Sequence, residues 1–145
     1  MQNYFNFATI KEHGAFYLPI GDGKTSHVDI RDVAAAAVAA LTQSGHEGKA
    51  YDITGPEALD NYRIAEILSS VTGKNISYVE ISEDDARKAM TDMGMPESIV
   101  AVLIELYAIE KAGHGSAVSP AVEQITGRKP IAFEQFAKDY AEAFK

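Results

Sequence analysis

The sequence contains no cysteine among its 145 residues. Disulfide scaffolds and thiolate zinc sites are therefore excluded, and the composition suits a reducing compartment. Basic residues are in the minority: 13 Lys and Arg against 21 Asp and Glu leave a net charge of −8. No basic stripe is present to displace counterions from a polyanion, so nucleic acid is not an expected partner. No apolar run approaches the length of a membrane span, and no membrane association is expected. The opening residues Met1-Gln2-Asn3-Tyr4-Phe5 lack the basic and apolar regions of a secretory leader, so a cytoplasmic protein is expected. The 46% hydrophobic and 23% charged residues are those of an ordinary globule. A chain of this length buries enough surface for a core of its own, and a single domain over 1–145 is expected.

Helical and extended patterns alternate in the first half. Residues 2–12 suit a helix ended by Gly14. Residues 15–19 are short and β-prone, and Gly21-Asp22-Gly23 is turn chemistry. A strand is expected over 26–30, then an alanine-rich helix over 31–42 whose stripe is Val33, Ala34, Ala37 and Leu41. A further strand is expected over 49–54, stopped by Gly55-Pro56. Asp60 is placed to cap a helix carrying Ile64, Ile67, Leu68 and Val71, with Gly73 as its terminator. Residues 75–81 alternate as a strand, with Ile76, Tyr78 and Glu80 on one face. Ser82 and Asp85 resemble a capping box. Helices are then expected to about Met93, from Pro96 through Tyr107, from Ser119-Pro120 to Gly127, and over 132–144. The order argues for an α/β start and a helical cap at the end.

Several short motifs invite chemical readings, and most yield to plainer ones. Tyr107 and Lys111 have the Tyr-x-x-x-Lys spacing used for proton transfer, but Tyr107 continues the apolar stripe Val100-Leu103-Ile104. Gly23-Lys24-Thr25-Ser26 ends like a phosphate loop, yet the required earlier glycine is Leu18. Gly21-x-Gly23 and Gly113-His114-Gly115 do not extend to a dinucleotide fingerprint. The Gly113-His114-Gly115 run reads better as a flexible break after a helix. His27 and Asp29 supply two ligands where zinc wants three or four, and His13, His46 and His114 show no ligand spacing, so no metal is expected. Asp29 and Asp32 read as structural, with Asp32 serving the first turn of the alanine-rich helix. Glu83, Asp84 and Asp85 complement a helix dipole. Tyr4, Phe5, Phe16 and Tyr17 form an aromatic group suited to a core or a pocket wall.

The run His27-Val28-Asp29-Ile30-Arg31-Asp32-Val33-Ala34, followed by Ala50-Tyr51-Asp52-Ile53-Thr54-Gly55-Pro56, resembles the second half of an NmrA-like atypical short-chain dehydrogenase/reductase. Gly14 to Pro19, Gly45 to Tyr51, Ile125 to Pro130 and Phe133 to Phe136 are similar to pieces of that family in the same order. The resemblance spans nearly the whole chain. It implies a partial Rossmann-type α/β fold with a helical C-terminal cap, and a parent that binds NAD(P). Some relatives reduce quinones, dyes or other small electrophiles; others only sense the cofactor. The family's glycine-rich strand–turn–helix and early strands have no counterpart here, so no catalytic and no cofactor-binding residue is carried over.

The resulting expectation is the substrate-side portion of an NAD(P)-dependent reductase, binding no cofactor by itself and inactive without a complementing cofactor-binding half. The alternative is a free-standing oligomeric module for a small apolar ligand or a protein. Candidate ligand-side residues are Phe5, Tyr17, His27, Tyr107 and His114. A strand over 49–54 without its sheet neighbours would expose sticky backbone groups. The expected partner is therefore a second copy, as a dimer, or a complementing cofactor-binding chain.

Overall fold

Two short parallel strands, β1 (Ala15–Leu18) and β2 (Ser77–Glu80), lie at the centre of the structure, a computed structural model that describes the backbone of residues 1–145 and every side chain but that of Asn6. They pair from Ala15↔Ser77 to Leu18↔Glu80. Parallel strands require a long crossover, and here it contains α2 (Ile30–Thr42) and α3 (Asn61–Thr72). Helices α4 (Glu83–Asp92), α5 (Glu97–Lys111), α6 (Ala121–Thr126) and α7 (Phe133–Asp139) follow β2 as the helical cap. The architecture is α/β, with a helical C-terminal cap.

The main core joins α1 (Ala8–His13), β1, α3, β2 and α7 through Ile10, Phe16, Ile64, Leu68 and Phe136. A second cluster sets Ala36 and Ala39 of α2 against Ala121 and Ile125 of α6. A third sets Ala86 and Met90 of α4 against Val100 and Ile104 of α5. Tyr107 packs against both the first and the third clusters. The helix starts follow their expected chemistry. Asp60 accepts the Arg63 N–H at 2.8 Å, and Ser82 accepts the Asp85 N–H at 3.0 Å. Gly14, Gly73 and Gly127 end their helices in the left-handed region.

Five sequence expectations are corrected. The first helix is broken: a 3-10 turn over Gln2–Asn6 gives way at Phe7 to α1. Stacking of Phe7 on Phe16 and the edge-on contact of Tyr4 with Phe16 hold this bend. Residues 26–30 form no strand. Thr25 makes a single antiparallel bridge to Leu59, the Ser26 N–H bonds the Gly115 carbonyl, and Asp29 already caps α2. Asp29, not Asp32, therefore serves the first turn, accepting the Arg31 N–H at 2.9 Å. The buried Asp32 instead accepts the Ile131 N–H at 2.7 Å and ion-pairs with Arg128 at 2.7 Å.

Residues 49–54 also form no strand, because no strand lies beside them among the described residues. Tyr51 and Ile53 nevertheless pack on the α2–α6 cluster. The predicted stripe of α2 points outward rather than inward. Ala36 and Ala39 are buried, while Ala34 and Ala37 are exposed and Val33 and Leu41 are 37% and 86% exposed. The sequence periodicity thus marks a face that no described residue covers.

Candidate functional site

A cavity of about 320 Å³ opens between the N-terminal turn, the loop over 25–28 and α5. Tyr4, Leu18, His27, Leu103, Tyr107 and Glu110 are among its lining residues. Two glycines bring these elements together. Gly23 lies so close to the end of α5 that a Cβ there would overlap the Glu110 carbonyl and stand 2.9 Å from the Lys111 Cα. A Cβ on Gly55 would overlap the His27 carbonyl. Glycine is required at both places for close backbone approach rather than for unusual dihedrals.

The loop over 25–28 is fastened to the chain beyond α5. The Ser26 N–H donates to the Gly115 carbonyl at 2.9 Å, and Ser26 Oγ donates to the Ser116 carbonyl at 3.1 Å. Gly113-His114-Gly115 is thus a docking segment, not the flexible break its composition implies. Thr25 Oγ1 donates to Glu110 Oε2 at 3.2 Å. Burial raises the Glu110 carboxyl above the ordinary carboxylate range, although the Thr25 hydroxyl works against this.

Tyr4 is buried, and its hydroxyl donates to Asn61 Oδ1 at 2.7 Å. Its one proton is committed there, so the contact with His27 Nε2 at 3.4 Å uses the phenol oxygen as acceptor. That assigns the proton of the neutral imidazole to Nε2. Burial lowers the His27 pKa to about 4, with the Met1 amino group adding to the effect. His27 is therefore uncharged near neutral pH. Burial holds the Tyr4 phenol well above its ordinary pKa, and the nearby Glu110 reinforces this. Neither group is an activated base. The aromatic frame is continuous: Tyr4 meets Phe7, Phe16, His27 and Phe133 edge-on at 5.4–5.7 Å between centroids.

Of the candidates marked in the sequence, His27 and Tyr107 line this cavity. Tyr17 lines a neighbouring one together with Tyr107. Phe5 lies elsewhere, against Phe136, Tyr140 and Phe144 at 5.2–5.6 Å. His114 is exposed and lines neither cavity. Tyr107 and Lys111 are not an acid–base pair. Lys111 is ion-paired with Glu80 at 3.0 Å, and burial raises the Tyr107 phenol instead of lowering it. Thr25 and Glu110 were missed as site residues. The signal for Glu110 was present: a carboxylate at the spacing 103, 107, 110 continues an otherwise apolar helix face.

The N-termini of α2, α3 and α4 are not open to a dinucleotide pyrophosphate. Such a group needs a glycine turn that opens directly into a free helix N-terminus. The turn at Gly21–Gly23 leads into a loop, and the α2 N-terminus is filled by the Asp29 carboxylate. That carboxylate is buried. Burial opposes its ionisation, but hydrogen bonds from the Arg31 side chain and backbone and from Gln2 outweigh it, so its pKa is lowered. The α3 and α4 N-termini are occupied by Asp60 and by Ser82 with three acidic neighbours.

No family model matches the sequence. An NAD(P)H azoreductase from Xenophilus azovorans is 46% identical over 145 residues, covering 99% of this chain and 51% of that protein. A (4-alkanoyl-5-oxo-2,5-dihydrofuran-3-yl)methyl phosphate reductase from Streptomyces griseus is 36% identical with the same coverage. These relatives are NAD(P)H-dependent reductases of the NmrA-like kind, and the chain is similar to them over nearly its whole length. The crystal structure of an NADPH-dependent quinone oxidoreductase from Escherichia coli superposes with a TM-score of 0.86 at 28% identity, over 95% of this chain and 50% of that one. This chain spans about half the length of the curated relatives it matches, consistent with a C-terminal half. The family is NAD(P)H-dependent. No helix is long and apolar enough to cross a membrane among the described residues.

Proposed function

We propose that this chain is the substrate-binding part of an NAD(P)H-dependent reductase, that the cofactor is held by residues outside these 145, and that the chain turns nothing over alone. The cavity beneath Tyr4, His27 and Tyr107 carries this reading. It is aromatic-walled, with a few convergent polar groups at Thr25, His27 and Glu110. It suits a flat, uncharged acceptor of the azo or quinone class. A phosphate ester suits it less, because no Lys or Arg lines the cavity among the described residues. The chain's contribution to the reaction is to bind and orient the acceptor in a dry site. Hydride supply belongs to the cofactor.

The uncovered face of α2 supports a partner. Ile30, Val33, Val38 and Leu41 are exposed, and residues 50–53, which pack on the other face of α2 through Tyr51 and Ile53, make no backbone hydrogen bonds among the described residues. Chain of strand-forming composition with free N–H and C=O groups accepts a neighbouring strand. A sheet from the cofactor-binding half is the occupant this reading calls for. A second copy of the chain takes its place when that half is absent.

The acceptor arm is tested by thermal unfolding with an uncharged phenylazo-naphthol dye. Dye at a hundred times its dissociation constant should stabilise the chain by about 2.7 kcal/mol. Leu103→Trp, which fills the cavity, should remove that gain. Stabilisation that persists undiminished in a folded Leu103→Trp variant would place the dye elsewhere and overturn the assignment.

A further inference from the structure

A second cavity of about 280 Å³ lies beside the first. The two share Phe7, Leu18 and Tyr107 as lining residues, so these side chains are a partition rather than an outer wall. Beyond the partition the lining changes character. Tyr17, Ile81, Ala86, Met90 and Met93 supply apolar surface, and Thr9 is the one hydroxyl of an aliphatic side chain there. The charged and hydrogen-bonding groups of the first cavity, His27 and Glu110, are absent from the second. Each space alone sits at the lower edge of the roughly 300–1,000 Å³ typical of small-molecule sites; together they fall well inside it.

The partition is built to yield. Tyr107 is half-buried and stands where the main core meets the α4–α5 cluster, so its ring borders both spaces. Met90 and Met93 are unbranched thioethers that adapt to different ring shapes. Met93 is 74% exposed at the rim, which leaves the second space open to solvent on its outer side.

We infer that the two cavities form one site for an elongated, uncharged ligand, with a hydrogen-bonding head at His27 and Glu110 and an apolar aryl tail between Tyr17 and Met90. This rests on the substrate-binding reading above and adds the length and polarity of the molecule. Tyr17 becomes a specificity residue for the tail, and Tyr107 the divider that both ends of the ligand touch.

Fluorescence titration with 2-naphthol and 6-phenyl-2-naphthol tests this directly. The chain has no tryptophan, so naphthol emission is read without indole background. The phenyl compound should bind at least tenfold more tightly. Ala89→Phe on α4 and, independently, Thr9→Phe on α1 fill the second cavity from opposite walls. Either variant should abolish the tenfold gain and leave 2-naphthol affinity within twofold of the parent chain. Equal affinities of the parent for the two compounds, or an undiminished gain in both folded variants, would overturn the second compartment while leaving the first intact. Failure of both naphthols to bind would overturn the substrate-binding reading as well.

Discussion

His27 shows how one buried group couples site and stability. Its imidazole is neutral in the folded chain down to about pH 4, whereas an unfolded histidine takes up a proton below about 6.5. Between those values the unfolded state binds the extra proton, so stability falls as pH falls. The gap corresponds to about 3 kcal/mol at its full extent. Urea unfolding at pH 7 and pH 4 should show the parent losing about that much more stability than His27→Gln. Glu110 acts in the opposite direction, because a raised carboxyl gains stability on protonation, but it is present in both proteins and cancels in the comparison. Equal losses in the two proteins would mean that the ring is not desolvated as its surroundings require. Lone residues of this kind were partly legible. His27 and Tyr107 stood out by type and position. Glu110 was hidden inside a Tyr-x-x-x-Lys motif whose lysine turns away to Glu80.

At the scale of elements, the sequence marked nearly every helix and both true strands. Their caps and terminators are local, and local chemistry decides them: Asp60, Ser82, Gly14 and Gly73 act within a few residues of themselves. The misses depend on distant partners. Residues 49–54 have strand composition but no neighbour to pair with. Residues 26–30 are claimed by the Asp29 cap and by the Gly115 carbonyl, 89 positions away from Ser26. The stripe on α2 was read correctly as apolar and wrongly as inward-facing. Its outward direction makes a prediction. Light scattering at micromolar concentration should find the isolated chain as a dimer or larger, and Val38→Glu with Leu41→Glu should return it to a monomer. Both positions are already exposed, so the charges should cost the fold little. A monomeric parent chain would show that the α2 face needs no cover.

For the whole molecule, the proposed reading is a division of labour. The described residues enclose an aromatic-walled cavity with a few polar groups, and the N-termini of α2, α3 and α4 are occupied by Asp29, Asp60 and Ser82. In that reading NAD(P)H is held outside this chain, as its NAD(P)H-dependent relatives suggest, and the cavity here takes the acceptor. The fold class and the family were readable from the ordered motifs between Gly14 and Phe136. The cavity was not, because Tyr4, Thr25, His27 and Glu110 converge from positions up to 106 apart through the close approaches of Gly23 and Gly55. The most direct measurement is a titration of the purified chain with NADPH, read by nicotinamide fluorescence, in parallel with 2-naphthol. The naphthol should bind, and NADPH should give no saturable enhancement up to millimolar concentration. Saturable micromolar NADPH binding to a single copy of the chain would contradict the division of labour.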